Sequence, residues 1–280
     1  VQGLHRNERG RWIWRLPTEA ELGYVRVREF LPDTPDQLGA AFREMGDVRG
    51  LVLDLRGNPG GRLPAAVAAA DAMLDEGVIV TIEDRSGERD THRAHRNGSL
   101  SPRVPVSVLI DGNTASGAEL LAGALRYHDR AVLVGTRTLG KGCVQTLIAL
   151  GDGLGELNLT TGEFYVDRTL RIARRPGATR WGVPPHVEVV LPDMDRQPLQ
   201  RLRRAGEVIA LPGPTTRPAD ADEPDAEPAP AEKIWALDAP LRAAAALLTD
   251  AARCEELLAA ARRDREQRHR RAKESSADDD

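Results

Sequence analysis

A serine and a lysine, each set among small residues, are the side chains of this sequence best suited to act together. Ser116 follows an apolar run and lies in a turn of small residues, with Gly117 directly after it. Lys141 lies between two glycines in an otherwise apolar neighbourhood. Burial can lower the pKa of a lysine from about 10.4 toward neutrality, and a neutral amine can accept the proton of a serine hydroxyl. Taken singly, Ser116 is interpreted as a helix N-cap and Lys141 as a turn residue. Together they indicate a Ser–Lys pair for nucleophilic catalysis.

Other catalytic arrangements find less support in the sequence. None of the six histidines lies in an HExxH motif, and neither they nor Cys143 and Cys254 have zinc-ligand spacing. The segment around Ser116 lacks the GxSxG elbow of the α/β-hydrolases. A Ser–His–Asp triad would need His128 or His186, and nothing in the sequence favours either. We therefore expect neither a metal nor a cofactor.

Residues 135–141 (GTRTLGK) match the GxxxxGK pattern of a phosphate-binding loop. Position 142 is glycine, so the hydroxyl that would bind magnesium is missing. The next segment, CVQTLIAL (143–150), is rich in strand-forming residues, whereas bound phosphates require a helix N-terminus there. The sequence therefore argues against nucleotide binding.

The elements that must position these residues alternate between strand and helix. Short apolar or alternating runs predict strands, and amphipathic segments predict helices. This alternation predicts an α/β fold class. Strands are predicted at 24–30, 51–55, 78–82, 105–111, 131–135, 143–150 and 157–166, a loop or hairpin at 83–103, and helices after Pro35, around 66–74 and at 116–127.

The two ends of the chain differ from its centre in composition. Residues 1–23 are predicted to be an N-terminal segment, 24–195 a catalytic core, 196–235 a mostly disordered linker, and 236–280 a helix with a charged tail. The linker prediction depends on residues 211–232, where six prolines and six acids occur with almost no large apolar side chain. Such a stretch cannot bury enough surface to offset its ordering entropy.

Charge and hydropathy limit the expected partners. The net charge is −4 and the pI is near 6.0, which does not favour nucleic acid or an anionic membrane. The basic stretch 262–273 is interpreted as a solvated helix end beside opposing charges rather than a nucleic-acid site. No run approaches the ~18 apolar residues of a membrane span. The start lacks an initiator Met and an apolar signal core, which indicates a fragment or a processed form.

Three ordered runs resemble the signature blocks of the tail-specific, carboxyl-terminal-processing serine peptidases. They are GLVLDLRGNPGG (50–61), NTASGAELLAGAL (113–125) and GTRTLGKGCVQT (135–146). The resemblance covers about residues 20–195 and implies a crotonase-like core of stacked β–β–α units. It implies Ser116 as the nucleophile, Lys141 as the general base, and Gln145 as a hydrogen-bonding partner of that lysine. It also implies an oxyanion hole made of the backbone N–H groups of Gly117 and Gly61, with Gly61 preferred to Gly60.

The same resemblance implies an endopeptidase that cleaves proteins near unstructured C-termini through an acyl-enzyme, in an extracytoplasmic location. Gly117 stands where many relatives have alanine, which should be harmless because only its backbone is needed. Tyr127 stands where some relatives have an acid, and no PDZ-type domain is visible, so the recognition of substrate C-termini stays open. Two other functions also stay open: a non-catalytic scaffold or peptide-binding module with this fold, and a CoA-dependent acyl-transfer enzyme.

Overall fold

In the computed structural model, the described residues are all of 1–280 except 8, 97–99, 101–102, 152–154, 168–169, 208–230 and 278–280. Their strands are β1 (His5–Arg6), β2 (Trp12–Ile13), β3 (Leu22–Arg26), β4 (Gly50–Asp54), β5 (Val78–Asp84), β6 (Arg89–Arg93), β7 (Val106–Ile110), β8 (Ala131–Gly135), β9 (Cys143–Ala149), β10 (Glu156–Asp167), β11 (Leu170–Arg171) and β12 (Val187–Glu188). Their helices are α1 (Thr34–Met45), α2 (Leu63–Asp71), α3 (Gly117–Tyr127), α4 (Asp193–Glu207), α5 (Ala231–Leu237), α6 (Ala239–Thr249) and α7 (Ala251–Ala277).

A five-stranded parallel sheet forms the centre of the fold. Its strand order is β12-β8-β7-β4-β3, and every neighbouring pair is parallel. Strands β4, β7 and β8 are buried along their whole length. Parallel strands covered by helices on both faces carry continuous apolar runs rather than an alternating pattern. This explains why these three strands were readable as short apolar runs in the sequence.

A second sheet is antiparallel and lies over helix α3. Its order is β11-β10-β5-β6, and β9 also pairs with β10. The long strand β10 pairs first with β9 and then with β5, and its register shifts between Thr160 and Gly162. Strands β5 and β6 form the hairpin that the sequence left open as a loop or hairpin.

The two faces of the parallel sheet belong to two apolar cores. On one face, side chains such as Leu53 and Ile110 pack with α1, α2 and α3, and α3 in turn contacts β5 and β10. On the other face, Val52 and Leu109 pack with residues of α4, α5 and α6. Helix α6 contacts β4, β7 and β8 directly. The helices that follow the core in sequence therefore complete its second face.

The α/β class is confirmed, and two local predictions are corrected. The strand predicted at 24–30 covers Leu22–Arg26 instead. Residues 196–207 and 231–235, which we had placed in the linker, are helical parts of α4 and α5. Their polar composition misled the prediction because α4 is anchored by buried contacts, including Leu199 at 3% exposure. The rest of the predicted linker, 208–230, lies outside the described residues.

Candidate active site

Ser116 occupies a constrained position between β7 and α3. Its backbone has φ 53° and ψ −119°, although it is not glycine. A non-glycine residue held at positive φ stores strain of about 1–3 kcal/mol, and such positions concentrate at functional sites. Helix α3 begins at the next residue, Gly117. The N-cap position expected for Ser116 is therefore present, but its backbone conformation is more strained than capping alone requires.

The glycine-rich turn after β4 lies directly against Ser116. The Cβ of an alanine at Gly60 would lie 2.7 Å from the Cβ of Ser116 and 2.9 Å from the backbone nitrogen of Gly117. At Gly61 the added Cβ would lie 2.3 Å from the carbonyl oxygen of Phe30. Both glycines have positive φ, 105° and 134°. Only glycine satisfies both the backbone conformation and the close approach at these two positions.

The backbone N–H groups around Ser116 differ in whether they are already used. Gly60 donates to Asn58 Oδ1 at 2.8 Å. The carbonyl oxygen of Gly60 accepts from Phe30 N, and the N–H of Arg62 donates to Phe30 O. The N–H of Gly61, between them, therefore points away from Phe30. Within the described residues, the N–H groups of Gly61 and Gly117 donate no hydrogen bond. The two N–H groups that remain open are those chosen from the sequence for the oxyanion hole.

Glu119, which the sequence analysis did not select, joins the serine turn to the lysine turn. Its carboxylate is fully buried. Oε2 accepts from the backbone N–H of Ser116 at 2.9 Å and from that of Lys141 at 2.7 Å. Oε1 accepts from Gly140 N at 2.7 Å and from Thr138 Oγ1 at 2.5 Å. One buried carboxylate therefore holds the two turns together.

Burial raises the pKa of Glu119, while the hydrogen bonds from Thr138, Gly140, Lys141 and Ser116 act in the opposite direction. A signal for this residue was present in the sequence. The spacing Ser-x-x-Glu is the pattern of a capping box, in which the glutamate accepts from the N-cap backbone N–H. The pattern predicts the bond to Ser116, but not the three bonds to the loop before β9.

Lys141 lies in a turn that is packed on both sides. An added Cβ at Gly140 would lie 2.7 Å from Trp181, and one at Gly142 would lie 2.4 Å from the backbone nitrogen of Ala173. Lys141 itself is half-buried. In the described part of the chain its side chain makes no hydrogen bond or ion pair. These contacts fix the backbone of the turn, and the assignment of Lys141 as the general base stays a prediction.

Among the described residues, no hydrogen bond joins Gln145 to Lys141. It lies on β9 opposite Thr160 and is exposed. The two histidines considered for a triad have other partners: His128 Nε2 is 2.8 Å from Val78 O, and His186 Nδ1 accepts from Leu133 N at 2.8 Å.

A buried network of charges lies beneath the glycine-rich turn. Arg56 donates to Asp54 at 2.6 Å and to Asp238 at 2.7 Å, and Arg203 reaches the same two carboxylates at 3.1 and 2.7 Å. Tyr24 donates to Asp54 at 2.8 Å. Burial opposes the ionisation of both aspartates, but the two guanidinium groups hold the pKa of each carboxyl below its ordinary value. The network connects α4 and the start of α6 to the turn that carries the open glycine N–H groups.

The described residues contain no group of three or more histidine, cysteine or acidic side chains placed to hold a metal ion. None of their helices combines the length and apolarity needed to cross a membrane.

Comparison with known proteins gives a consistent result. The model of peptidase family S41 matches residues 21–189. The chain is 40% identical over 153 residues to a carboxy-terminal-processing protease of Bartonella bacilliformis, covering 52% of this chain and 35% of that protein. It is 44% identical over 137 residues to a chloroplastic C-terminal processing peptidase of Tetradesmus obliquus, covering 48% and 29%. The solved photosystem II D1 C-terminal processing protease is similar with a TM-score of 0.52 and 34% identity, over 71% of this chain and 50% of that one. The chain thus spans about a third of the curated relatives.

Proposed function

This chain belongs to peptidase family S41, and we propose that it is the catalytic part of a serine endopeptidase that uses Ser116 and Lys141 as its dyad. The observation that carries the proposal is the shared carboxylate of Glu119, which binds the backbone of both residues through one oxygen. The two residues are 25 positions apart in the sequence, on different loops. A buried bond that fixes their loops together is the preorganisation that a two-residue catalytic site requires.

The proposed reaction is acyl transfer to Ser116. The neutral amine of Lys141 accepts the proton of the Ser116 hydroxyl as its oxygen attacks the carbonyl carbon of a peptide bond. The tetrahedral intermediate carries an oxyanion, and the open N–H groups of Gly61 and Gly117 stabilise this charge. As the intermediate collapses, the ammonium of Lys141 gives its proton to the leaving amine. The neutral amine of Lys141 then deprotonates a water molecule, which attacks the ester carbonyl carbon. The bond from that carbon to Ser116 Oγ breaks, Lys141 returns the proton to Ser116, and the acid leaves.

Gln145 has an auxiliary role in this proposal. Its position on β9, four residues after Lys141, lets its amide approach the lysine amine when substrate orders the site. Catalytic hydrogen bonds are often long in a free enzyme and shorten only in the complex. The exposed position of Gln145 in the free chain is therefore compatible with this role.

The substrate class follows from the relatives rather than from this chain alone. Several are named as carboxyl-terminal-processing proteases, so we propose protein substrates cleaved near unstructured C-termini. We further propose an extracytoplasmic location. Neither a metal nor a cofactor takes part in the proposed reaction.

Two measurements test the dyad. The first is cleavage of an unfolded model protein by the wild type, Ser116→Ala and Lys141→Ala, with Lys233→Ala as a matched control because Lys233 is exposed on α5. The second is covalent labelling by a fluorophosphonate, located by mass spectrometry, which reports on the nucleophile even if this part of the protein binds substrate weakly.

We expect the wild type and the Lys233 variant to cleave and to be labelled on Ser116. The Ser116 and Lys141 variants should keep the wild-type circular dichroism spectrum and lose both signals. Cleavage by Ser116→Ala at the wild-type rate would place the nucleophile elsewhere. A folded wild type with neither cleavage nor labelling would instead support the non-catalytic scaffold.

A further inference from the structure

The inward face of α7 forms a basic pocket with the end of α3. Ala261, Arg265 and Arg268 follow one another at helical spacing and turn toward the body of the protein. They enclose a cavity of about 40 Å³ with Arg126 and other residues. A cavity of this volume exceeds the minimum for one water molecule and suits a small polyatomic group. The remaining lining residues are Tyr127, Arg180 and Pro184.

Acidic side chains neutralise only part of this pocket. Asp129 forms ion pairs with Arg262 and Arg265, at 2.9 and 2.8 Å. Asp264 pairs with Arg268. In the described structure the side chain of Arg126 makes no hydrogen bond or ion pair. Asp264 and Asp129 act on the charge of Arg126 only through space, and neither accepts a hydrogen bond from it.

Buried N–H donors without acceptors mark the same place. Arg126 Nη1 and Arg268 Nε are both inaccessible to solvent and have no hydrogen-bond partner among the described residues. Buried donors are nearly always satisfied in folded proteins, because losing water without gaining an acceptor costs free energy. Burial and the charge of Arg268 lower the pKa of Arg126 to about 10. Two guanidinium groups thus lie close together with donors that lack acceptors.

A third buried donor without an acceptor is that of His186, whose ring feels the charge of Arg126 although it does not line the pocket. Its Nδ1 accepts from the backbone N–H of Leu133, so the proton of the neutral ring is on Nε2. That Nε2 is buried and has no hydrogen-bond partner in the described part of the chain. Burial and the neighbouring charge of Arg126 lower the pKa of His186 to about 3, which keeps the ring neutral.

We propose that this pocket binds an oxyanion of the phosphate class, held by Arg126 and Arg268. The planar fork of a guanidinium group matches two oxygens of a phosphate, and the arginine charge around the pocket favours an anion. The bound anion accepts from the guanidinium groups of Arg126 and Arg268 and separates the two like charges. It also bridges α7 to α3, the helix whose first turn follows Ser116. The source is either a free phosphate ion or a phosphate group on a larger molecule, and the recognition chemistry is the same.

Inorganic phosphate tests the site directly. Isothermal titration calorimetry and thermal unfolding are measured at constant ionic strength, with sodium chloride and sodium acetate as the reference salts. Arg126→Gln and Arg268→Gln remove the proposed contacts. Arg263→Gln is the matched control, because Arg263 is an exposed arginine of the same helix.

We expect saturable phosphate binding and a rise in Tm that chloride and acetate do not reproduce. Each pocket variant should weaken phosphate binding by about tenfold or more, as expected for the loss of a charge-assisted contact, whereas Arg263→Gln should not. The Tm of each variant in chloride shows whether it is folded, so a lost response is distinguished from a lost fold. An equal Tm rise in acetate, or equal phosphate binding by the wild type and both pocket variants, would overturn the proposal. If phosphate binds, glycerol phosphate as competitor reports whether the site also admits a phosphate on a larger molecule.

Discussion

Replacing Glu119 by glutamine should disconnect the serine turn from the lysine turn while leaving the shape of the core intact. The glutamine side chain keeps one acceptor oxygen and replaces the other by an NH₂ group, which cannot accept. If that group faces Thr138 and Gly140, the threonine hydroxyl can turn to accept from it, but the N–H of Gly140 loses its acceptor. If it faces the other way, the N–H groups of Ser116 and Lys141 both lose theirs.

The size of the effect follows from these lost bonds. A buried donor without an acceptor costs about 1–3 kcal/mol, and the remaining bonds weaken because the acceptor is no longer charged. Removing a buried carboxylate recovers part of this cost, since burial already raises the pKa of Glu119. We therefore expect the free energy of unfolding to fall by about 2–4 kcal/mol, with one or two of the four bonds lost.

Urea unfolding followed by circular dichroism measures the stability, and fluorophosphonate labelling of Ser116 measures the site. Labelling is followed well below the unfolding midpoint, so that a change in rate reflects position rather than the folded fraction. We expect it to slow by about 100-fold, as small displacements of catalytic groups do. Glu255→Gln, an exposed glutamate of α7, is the control. A Glu119 variant within about 0.5 kcal/mol of wild type, with an unchanged labelling rate, would refute the positioning role.

Three further outcomes are expected. Gly60→Ala should abolish labelling, because the added Cβ would lie 2.7 Å from the Cβ of Ser116. Gly57→Ala, which is also at positive φ but in open space, should retain labelling. Equal labelling rates for the two variants would contradict the packing argument. Asp238→Asn should lower the free energy of unfolding measured in urea by about 3–5 kcal/mol, because it leaves buried guanidinium charge unbalanced. A change below about 0.5 kcal/mol would show that the charge network is not needed for stability. Asp54 and Asp238 have lowered pKa values when folded, so the unfolded state binds more protons in acid. The stability that the two ionised carboxylates give the folded state should be complete above the unfolded pKa of about 3.9. It should be lost as the pH falls toward their lower pKa values in the folded state. Stability measured from pH 6 to pH 3 should therefore decline in the wild type and decline less in Asp238→Asn.

The sequence predicted well those features that depend on local patterns. The buried strands β4, β7 and β8 were visible because a strand covered on both faces carries an uninterrupted apolar run. The turns at 56–61 and 140–142 were visible because glycine marks close approach of the backbone. Gly61 was preferred to Gly60 by resemblance alone. In the fold, the N–H of Gly60 is already used by Asn58.

The prediction failed for α4 because its stability does not come from a local apolar pattern. Arg203 is one of several arginines in a polar stretch, and nothing in its neighbours shows that it is buried. It is buried because Asp54 and Asp238 lie beside it, 149 and 35 positions away in the chain. Composition describes how much apolar surface a segment has to bury, and it does not report a distant charge that compensates its arginines.

The sequence by itself determined the family, the α/β class and the identity of Ser116 and Lys141 as candidates, because these follow from residue type, order and short-range spacing. Only the tertiary structure decided how these residues are held. It showed that Glu119 binds both turns, that Asp238 anchors the glycine-rich turn from 182 positions away through Arg56, and that arginines of α3 and α7 share one pocket. The physical reason is that hydrogen bonds and ion pairs depend on distances in space. Local sequence patterns fix only the distances within a few turns of helix or along one strand.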